Sequence, residues 1–122
     1  MGHEFEELSS RILAAAVEVH RTLGPGFLEC VYEKALTVAF QHRGVPYAQQ
    51  WEVRVRFEDE EVGTHRIDLV VDGRILVELK AVKGLEDVHF AQVRSYLKAS
   101  GLHVGLLLNF NAPVLVAKRV VL

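Results

Sequence analysis

Two acidic residues and a lysine on adjacent predicted strands are the part of this sequence best suited to chemistry. Asp68 lies in one apolar run, and Glu78 and Lys80 lie two residues apart in the next. Carboxylate oxygens are the natural ligands of Mg²⁺, which keeps water molecules that can be activated. A lysine on the same side could hold a water or stabilise negative charge. The competing interpretation is a solvated strand face that carries an ordinary cross-strand ion pair.

The two strands that carry these residues alternate apolar and polar positions, which predicts that one face of each is buried. The odd-numbered positions of both strands are largely apolar: Ile67, Leu69 and Val71 in the first, and Ile75, Val77, Leu79 and Ala81 in the second. Directly opposed side chains share a face, so both strands bury these residues only if odd positions oppose odd positions. The same parity gathers the polar even positions, Arg66, Asp68, Glu78 and Lys80, on the other face.

The turn between these strands has to keep odd-numbered positions opposite odd-numbered positions. A two-residue turn at Asp72-Gly73 is the usual expectation for such a dipeptide, and it would pair Val71 with Arg74. That pairing sets an odd position against an even one. We therefore expect a three-residue connection or a bulge, with Gly73 at positive φ.

The remaining elements place the strand pair between helices. Helical spacing predicts a first helix that ends at Gly24-Pro25-Gly26 and a second that ends near Gly44 and Pro46. A third helix is expected over residues 85–100, followed by strands over 102–109 and 114–121. The predicted order is helix, helix, three strands, helix, two strands. The fold class is therefore α/β, one mixed sheet with helices packed on it, and the 122 residues form a single domain.

Composition narrows the function classes. The net charge of −2 gives no general attraction to nucleic acid, so any phosphate-binding surface has to be local. Half of the residues are hydrophobic, which indicates either a simply apolar core or, as we expect, burial of some surface in a homodimer. The single cysteine, Cys30, fits a reducing compartment and is expected to be an inert core thiol. No signal peptide and no membrane-length apolar run is visible, so we expect a cytoplasmic protein.

Three short motifs resemble known nuclease families. Asp68 followed by Glu78-Leu79-Lys80 resembles the signature of the PD-(D/E)XK nuclease superfamily, although Ile67 replaces the usual proline. Gln92 and Tyr96 on the third helix look like the Gln-x-x-x-Tyr motif of RecB-like nucleases. The segment from Gly26 to Tyr32, with Glu29 between them, matches the signature of the GxxExxY proteins, and further stretches resemble that family along nearly the whole chain.

The resemblance implies a metal-dependent nuclease with a core like that of restriction endonucleases. Asp68 and Glu78 would hold Mg²⁺ or Mn²⁺, with Glu29 completing the metal site, and Lys80 would assist the attacking water. Gln92 and Tyr96 would position a phosphate or order water. The substrate would be nucleic acid, with DNA as the first expectation and RNA as the alternative. The rival interpretations are a nucleic-acid-binding or protein-interaction module that keeps the fold without cutting, and a structural homo-oligomer.

Simpler roles compete for the supporting residues. Glu29 could be an acid favoured by the helix dipole, and Tyr32 is expected in the core. His20 could serve the helix end or the site, and His89 is expected at a polar boundary. The other histidines lack zinc-site spacing and are assigned no role: His3, His42, His65 and His103. The strand arginines form either a local basic patch or a solvated surface: Arg54, Arg56, Arg66 and Arg74.

Overall fold

The computed structural model describes residues 5–122, which include every predicted site residue. His3, which was assigned no role, lies outside the described residues. The helices are α1 (Glu6–Leu23), α2 (Glu29–Arg43) and α3 (Asp87–Ser100). The strands are β1 (Tyr47–Phe57), β2 (Glu60–Val71), β3 (Ile75–Lys80), β4 (Val104–Asn109) and β5 (Val116–Val121). This order confirms the predicted succession of elements and the mixed α/β class.

The five strands form one sheet in the order β1-β2-β3-β4-β5. Neighbours are antiparallel except β3 and β4, which are parallel because α3 carries the chain back across the sheet between them. Helices α1 and α2 cover one face, and α3 covers the other. Each face has its own apolar core, which we call the α1/α2 core and the α3 core.

The β2–β3 turn has the predicted three-residue form. Val71 pairs with Ile75, so odd positions oppose odd positions. The Arg74 amide donates to the Val71 carbonyl at 3.0 Å, and Gly73 has φ of +65°. The structure therefore confirms the register predicted from the alternation of apolar residues. Turn statistics alone would have predicted a different register.

The alternation within β2 does not continue along the whole strand as predicted. Leu69 and Val71 pack in the α1/α2 core, whereas Ile67 packs in the α3 core with Val70. The strand therefore rotates at Asp68. The odd-numbered residue before it, Ile67, faces α3, whereas the odd-numbered residues after it face α1 and α2. Arg66 is consequently exposed opposite Glu52 of β1 and does not join the carboxylates, contrary to the prediction.

The helix ends agree with the predictions from the sequence, but the exposure of Cys30 does not. Gly24 and Gly44 follow α1 and α2 with φ near +70°, as the stop signals predicted. Cys30 is exposed in the first turn of α2, so the prediction of a core thiol was wrong. No helix within residues 5–122 is long and apolar enough to cross a membrane.

Gly105 lets α3 lie close to the sheet. A Cβ atom at this position of β4 would lie 2.9 Å from Cγ1 of Val93, a buried residue of α3. We predict that Gly105→Ala lowers the free energy of unfolding by about 1–3 kcal/mol, because overpacking forces the helix or its side chains to shift. Denaturant unfolding measures the change.

Gly63→Ala provides the matched control. Gly63 is also a strand glycine, and a Cβ there meets nothing within 4 Å. This variant should keep the wild-type stability or gain up to about 1 kcal/mol. Equal stabilities of the two variants would show that α3 does not need a glycine beneath it.

Candidate active site

Asp68 and Glu78 face each other across a gap between β2 and β3. Regular pairing of these strands stops at Leu69 and Val77, although both strands continue beyond that point. The two carboxyl groups bridge the gap instead. The Asp68 amide donates to Glu78 Oε2 at 2.9 Å, and the Leu79 amide donates to Asp68 Oδ2 at 2.9 Å. Each acid thus satisfies a backbone donor of the opposite strand, and one oxygen of each remains for other contacts.

The neighbouring strand β1 is bent beside this gap. Gln50 has φ of +50°, an uncommon conformation for a residue with a side chain. Its side-chain amide and that of Gln49 both donate to the carboxylate of Glu33 on α2, at 3.0–3.2 Å. Helix α2 therefore holds β1 where β2 rotates, which is where the carboxylates leave the regular ladder.

Burial and repulsion change the ionisation of this pair. Glu78 is 5% exposed. Burial raises the pKa of Glu78 to about 8, and the charge of Asp68 and the hydrogen bond between the two side chains act in the same direction. The backbone hydrogen bond and Lys80 oppose this rise in pKa. Without a metal, Glu78 is therefore mainly protonated at neutral pH.

His65 and Tyr96 complete the α3 side of the site. Nε2 of His65 lies 3.5 Å from Oε1 of Glu78. The His65 ring stacks on the ring of Tyr96, with centroids 3.7 Å apart and planes 11° apart. Burial lowers the pKa of His65, although Asp68 opposes the effect. Because Glu78 is protonated and His65 is neutral near pH 7, this contact is not an ion pair in the metal-free protein.

The sequence did not indicate His65. Strict alternation places it with Leu69 and Val71, away from the carboxylates. The rotation at Asp68 turns it toward α3 instead. Tyr96 was predicted at the site, and its raised pKa, caused by burial and then by Glu78 and Asp68, agrees with its position beside them.

Lys80 ends β3 where the chain leaves the sheet, and Asn109 fixes this exit. The Lys80 carbonyl accepts a hydrogen bond from the Phe110 amide at 2.9 Å. The buried amide of Asn109 binds both the N–H and the C=O of Val82, at 3.1 and 3.0 Å. Two connections from β4 thus hold the segment around Lys80. The sequence singled out Asn109 only as part of a family-like stretch.

Tyr32 fixes the loop before Glu29. Its ring is fully buried and stacks on Phe110 at 4.7 Å, so the predicted core role is confirmed. Its hydroxyl donates to the Gly24 carbonyl and accepts from the Phe27 amide. Glu29 is the first residue of α2 and is exposed. Desolvation of its carboxyl group raises its pKa, Asp68 adds to the effect, and Lys80 opposes it, which places Glu29 within electrostatic reach of the site.

The remaining predicted residues divide between the site and the scaffold. Gln92 is half-buried on α3, one turn before Tyr96. His89 accepts a hydrogen bond from the Glu86 amide at 2.9 Å and so caps α3. His20 is buried, with Nε2 2.8 Å from the Ala112 carbonyl oxygen, and ties α1 to the loop after β4. His89 and His20 therefore have structural contacts rather than contacts with the carboxylates.

The donor set fits a divalent cation held by few protein ligands. Within residues 5–122, no group of three or more His, Cys, Asp or Glu side chains is assembled closely enough to hold a metal. Glu29, Asp68 and Glu78 therefore do not form a ready three-ligand cage. Mg²⁺ is commonly held by one or two carboxylates together with water and substrate phosphate, and the facing Asp68 and Glu78 provide such a pair.

Comparison with known proteins agrees with this geometry. A sequence model of the PD-(D/E)XK nuclease superfamily matches residues 6–120. The chain belongs to the PD-(D/E)XK nuclease superfamily. No curated protein and no solved structure matches the chain. The five-stranded mixed sheet with three helices is consistent with the PD-(D/E)XK nuclease fold.

The ionisation of Glu78 makes the stability of the metal-free protein depend on pH. Folding raises the pKa of Glu78 from 4.5 to about 8, so its contribution is fully present below about pH 4.5 and is lost as pH rises through about 8. The melting temperature should therefore fall as pH rises toward about 8, most clearly between about pH 7 and 8, and level off above that range. In this range His65, whose pKa is lowered, stays neutral and adds little to the pH dependence of the melting temperature.

Glu78→Gln should flatten this pH dependence because the amide does not titrate. Asp72→Asn in the exposed β2–β3 turn is the control and should keep the wild-type slope. Melting in a chelator-containing buffer measures both. An equal slope in Glu78→Gln and the wild type would contradict the assignment of the raised pKa to Glu78.

Proposed function

We propose that this chain is a single-domain Mg²⁺-dependent nuclease that hydrolyses phosphodiester bonds of nucleic acid, DNA rather than RNA. The observation that carries the proposal is the pair of half-buried Asp68 and buried Glu78 across the gap, with Lys80 at the end of the same strand as Glu78. Membership in the PD-(D/E)XK nuclease superfamily supports the same reaction class. A fold kept only for binding has no need of two mutually repelling carboxyls in a buried position.

Asp68 and Glu78 would hold the metal, Mg²⁺ or Mn²⁺, and Glu29 would add a carboxylate from α2. The ion would supply positive charge for the phosphate and lower the pKa of an attacking water. Glu78 loses its proton when it becomes a ligand, so metal binding should strengthen as pH rises. Asp68 and Glu78 would keep their backbone hydrogen bonds with the metal bound, and these bonds would orient their remaining oxygens.

The other residues would orient the reactants. The ammonium group of Lys80 would position the attacking water and stabilise negative charge that develops on the phosphate. His65, stacked on Tyr96, would hold Glu78 in place. Gln92 and Tyr96 would contact a phosphate or order water on the α3 side. Under a GxxExxY assignment within the superfamily, Tyr32 would be the tyrosine of the motif, and its hydrogen bonds with Gly24 and Phe27 would fix the loop before Glu29.

A binding module that does not cut is the second candidate. Large apolar side chains are exposed on the β1–β2 hairpin, with Phe57 65% and Val62 61% exposed. Such residues favour contact with another macromolecule. Stable binding of nucleic acid or protein without any metal-dependent cleavage would favour this candidate. The single exposed thiol of Cys30 suits action in the reducing cytoplasm under either proposal.

The metal pair can be tested by cleavage and by thermal stability. Mg²⁺ or Mn²⁺ should raise the melting temperature and permit cleavage of a mixed panel of labelled DNA and RNA, and chelation should stop it. Asp68→Asn should abolish the thermal shift and reduce cleavage by about 100-fold or more. Its metal-free form should be as stable as the wild type or more stable, because one of two repelling carboxyls is gone.

Lys80→Ala and Asp72→Asn separate chemistry from metal binding. Lys80→Ala should keep the metal-induced thermal shift and reduce cleavage by about 100-fold. Asp72→Asn should retain both. A thermal shift that survives in Asp68→Asn would place the ion elsewhere, and cleavage that survives in both site variants would assign the activity to other residues or to a contaminant.

We also propose that the chain forms a homodimer. Half of the residues are hydrophobic, and the edge strand β1 exposes Trp51, Val55 and Phe57. An uncovered edge or apolar helix face is a natural surface for a second copy. Light scattering over a concentration series should give twice the chain mass. A monomeric mass at tens of micromolar would exclude the dimer.

A further inference from the structure

One buried nitrogen atom beside the candidate site forms no hydrogen bond. Nε2 of His65 is buried and has no hydrogen-bond partner among the described residues. The polar atom beside it is Oε1 of Glu78, at 3.5 Å, which is too long for a hydrogen bond. A buried polar atom without a partner is costly, and where native proteins keep one it often serves catalysis or binds an ion.

The oxygen beside this nitrogen is the one with which Glu78 would bind a metal. The other oxygen, Oε2, already accepts a hydrogen bond from the Asp68 amide. An ion bound by Oε1 therefore lies near Nε2 of His65. Two donors that are each about 2.1 Å from one ion lie about 3.0 Å apart at an octahedral angle and about 3.4 Å apart at a tetrahedral angle. The separation of 3.5 Å is close to these values, so only a small movement brings both atoms onto one ion.

Helix α3 holds the ring of His65 in this place. The ring stacks on Tyr96, with centroids 3.7 Å apart and planes 11° apart. The His65 side chain is 34% exposed although Nε2 is buried, so water contacts another part of it. In the neutral tautomer with the proton on Nδ1, the lone pair is on the nitrogen that lies beside Glu78. A neutral ring nitrogen with a lone pair is the form in which histidine binds metals.

We propose that Nε2 of His65 is a direct ligand of the metal and that it makes the site prefer Mn²⁺ over Mg²⁺. This inference rests on the proposed nuclease function and names which of the two ions the site selects. Mg²⁺ is bound through oxygen atoms, whereas an imidazole nitrogen is a good ligand for divalent transition metals. Within residues 5–122, no three His, Cys, Asp or Glu side chains are already placed to hold one ion. Asp68 would therefore close on an ion that Glu78 and His65 hold.

The test separates ligation by His65 from its contact with Tyr96. His65→Phe removes both ring nitrogens and keeps an aromatic ring that can stack on Tyr96. The control is His103→Phe, the same change at an exposed histidine before the end of β4 that lies farthest from Lys80. The chains carry no histidine tag, and thermal melting shows whether each variant remains folded. His65→Gln replaces His65→Phe if the larger ring prevents folding.

Pulsed EPR of the protein with one equivalent of Mn²⁺, in a buffer without nitrogen donors, detects a coordinated imidazole through the coupling of its nitrogen nucleus to the electron spin. This coupling should be present in the wild type and in His103→Phe and absent in His65→Phe. Calorimetric titration should show that the wild type binds Mn²⁺ at least about 10-fold more tightly than Mg²⁺. His65→Phe should lose at least about 10-fold in affinity for Mn²⁺ and less in affinity for Mg²⁺.

The outcomes for His65 and for the nuclease activity are distinguishable. A wild type that binds Mn²⁺ without imidazole coupling overturns the ligation, even if it cleaves nucleic acid, and so does coupling that survives in the His65 variant. Equal losses of affinity for Mn²⁺ and Mg²⁺ overturn the selectivity and leave His65 a positioning residue. Coupling that is lost only in the His65 variant supports the ligation, even if the wild type cleaves nothing and the nuclease proposal fails. A wild type that binds neither ion overturns both proposals.

Discussion

The reciprocal hydrogen bonds between the backbone and the carboxyl groups of Asp68 and Glu78 are the interaction on which the candidate site depends. Where β2 separates from β3, the amides of Asp68 and Leu79 lose their ladder partners, and a buried amide without a partner is costly. The two acids accept these hydrogen bonds and allow the strands to part. The same bonds bring the half-buried carboxyl group of Asp68 next to the buried carboxyl group of Glu78. Repulsion and desolvation then favour a proton on Glu78. The opening in the sheet and the unusual ionisation therefore have one origin.

The helices and the far strands stabilise this opening from three directions. On one face, the carboxylate of Glu33 holds Gln49 and Gln50 of β1 where the strand bends. On the other face, Tyr96 of α3 stacks on His65, and Gly105 lets α3 approach closely enough for that contact. From β4, the amide of Asn109 fixes the chain just after Lys80. A metal site with few protein ligands needs such support, because residues outside the first layer of contacts determine where its oxygens point.

Much of this arrangement could be predicted from the sequence, and the failures share a cause. Periodicity gave the order of elements, and parity gave the three-residue turn between Val71 and Ile75. Both are local signals that neighbouring residues determine. The rotation of β2 at Asp68 is a tertiary effect that depends on contacts between α2 and β1, so alternation could not reveal it. His65 was missed and Arg66 was wrongly grouped with the acids for this one reason. The prediction for Cys30 failed for a different reason. Its apolar neighbours in the sequence predicted burial, but the first turn of α2 lies at the surface.

An acidic chain that binds nucleic acid has to limit the repulsion between its own site and the phosphates. The proton on Glu78 provides one solution, because the Asp68–Glu78 pair then carries one negative charge rather than two near neutral pH. A divalent cation that displaces this proton would add two positive charges and uncover one negative charge, so the pair with its ion would be neutral rather than negative when it acts on a phosphate.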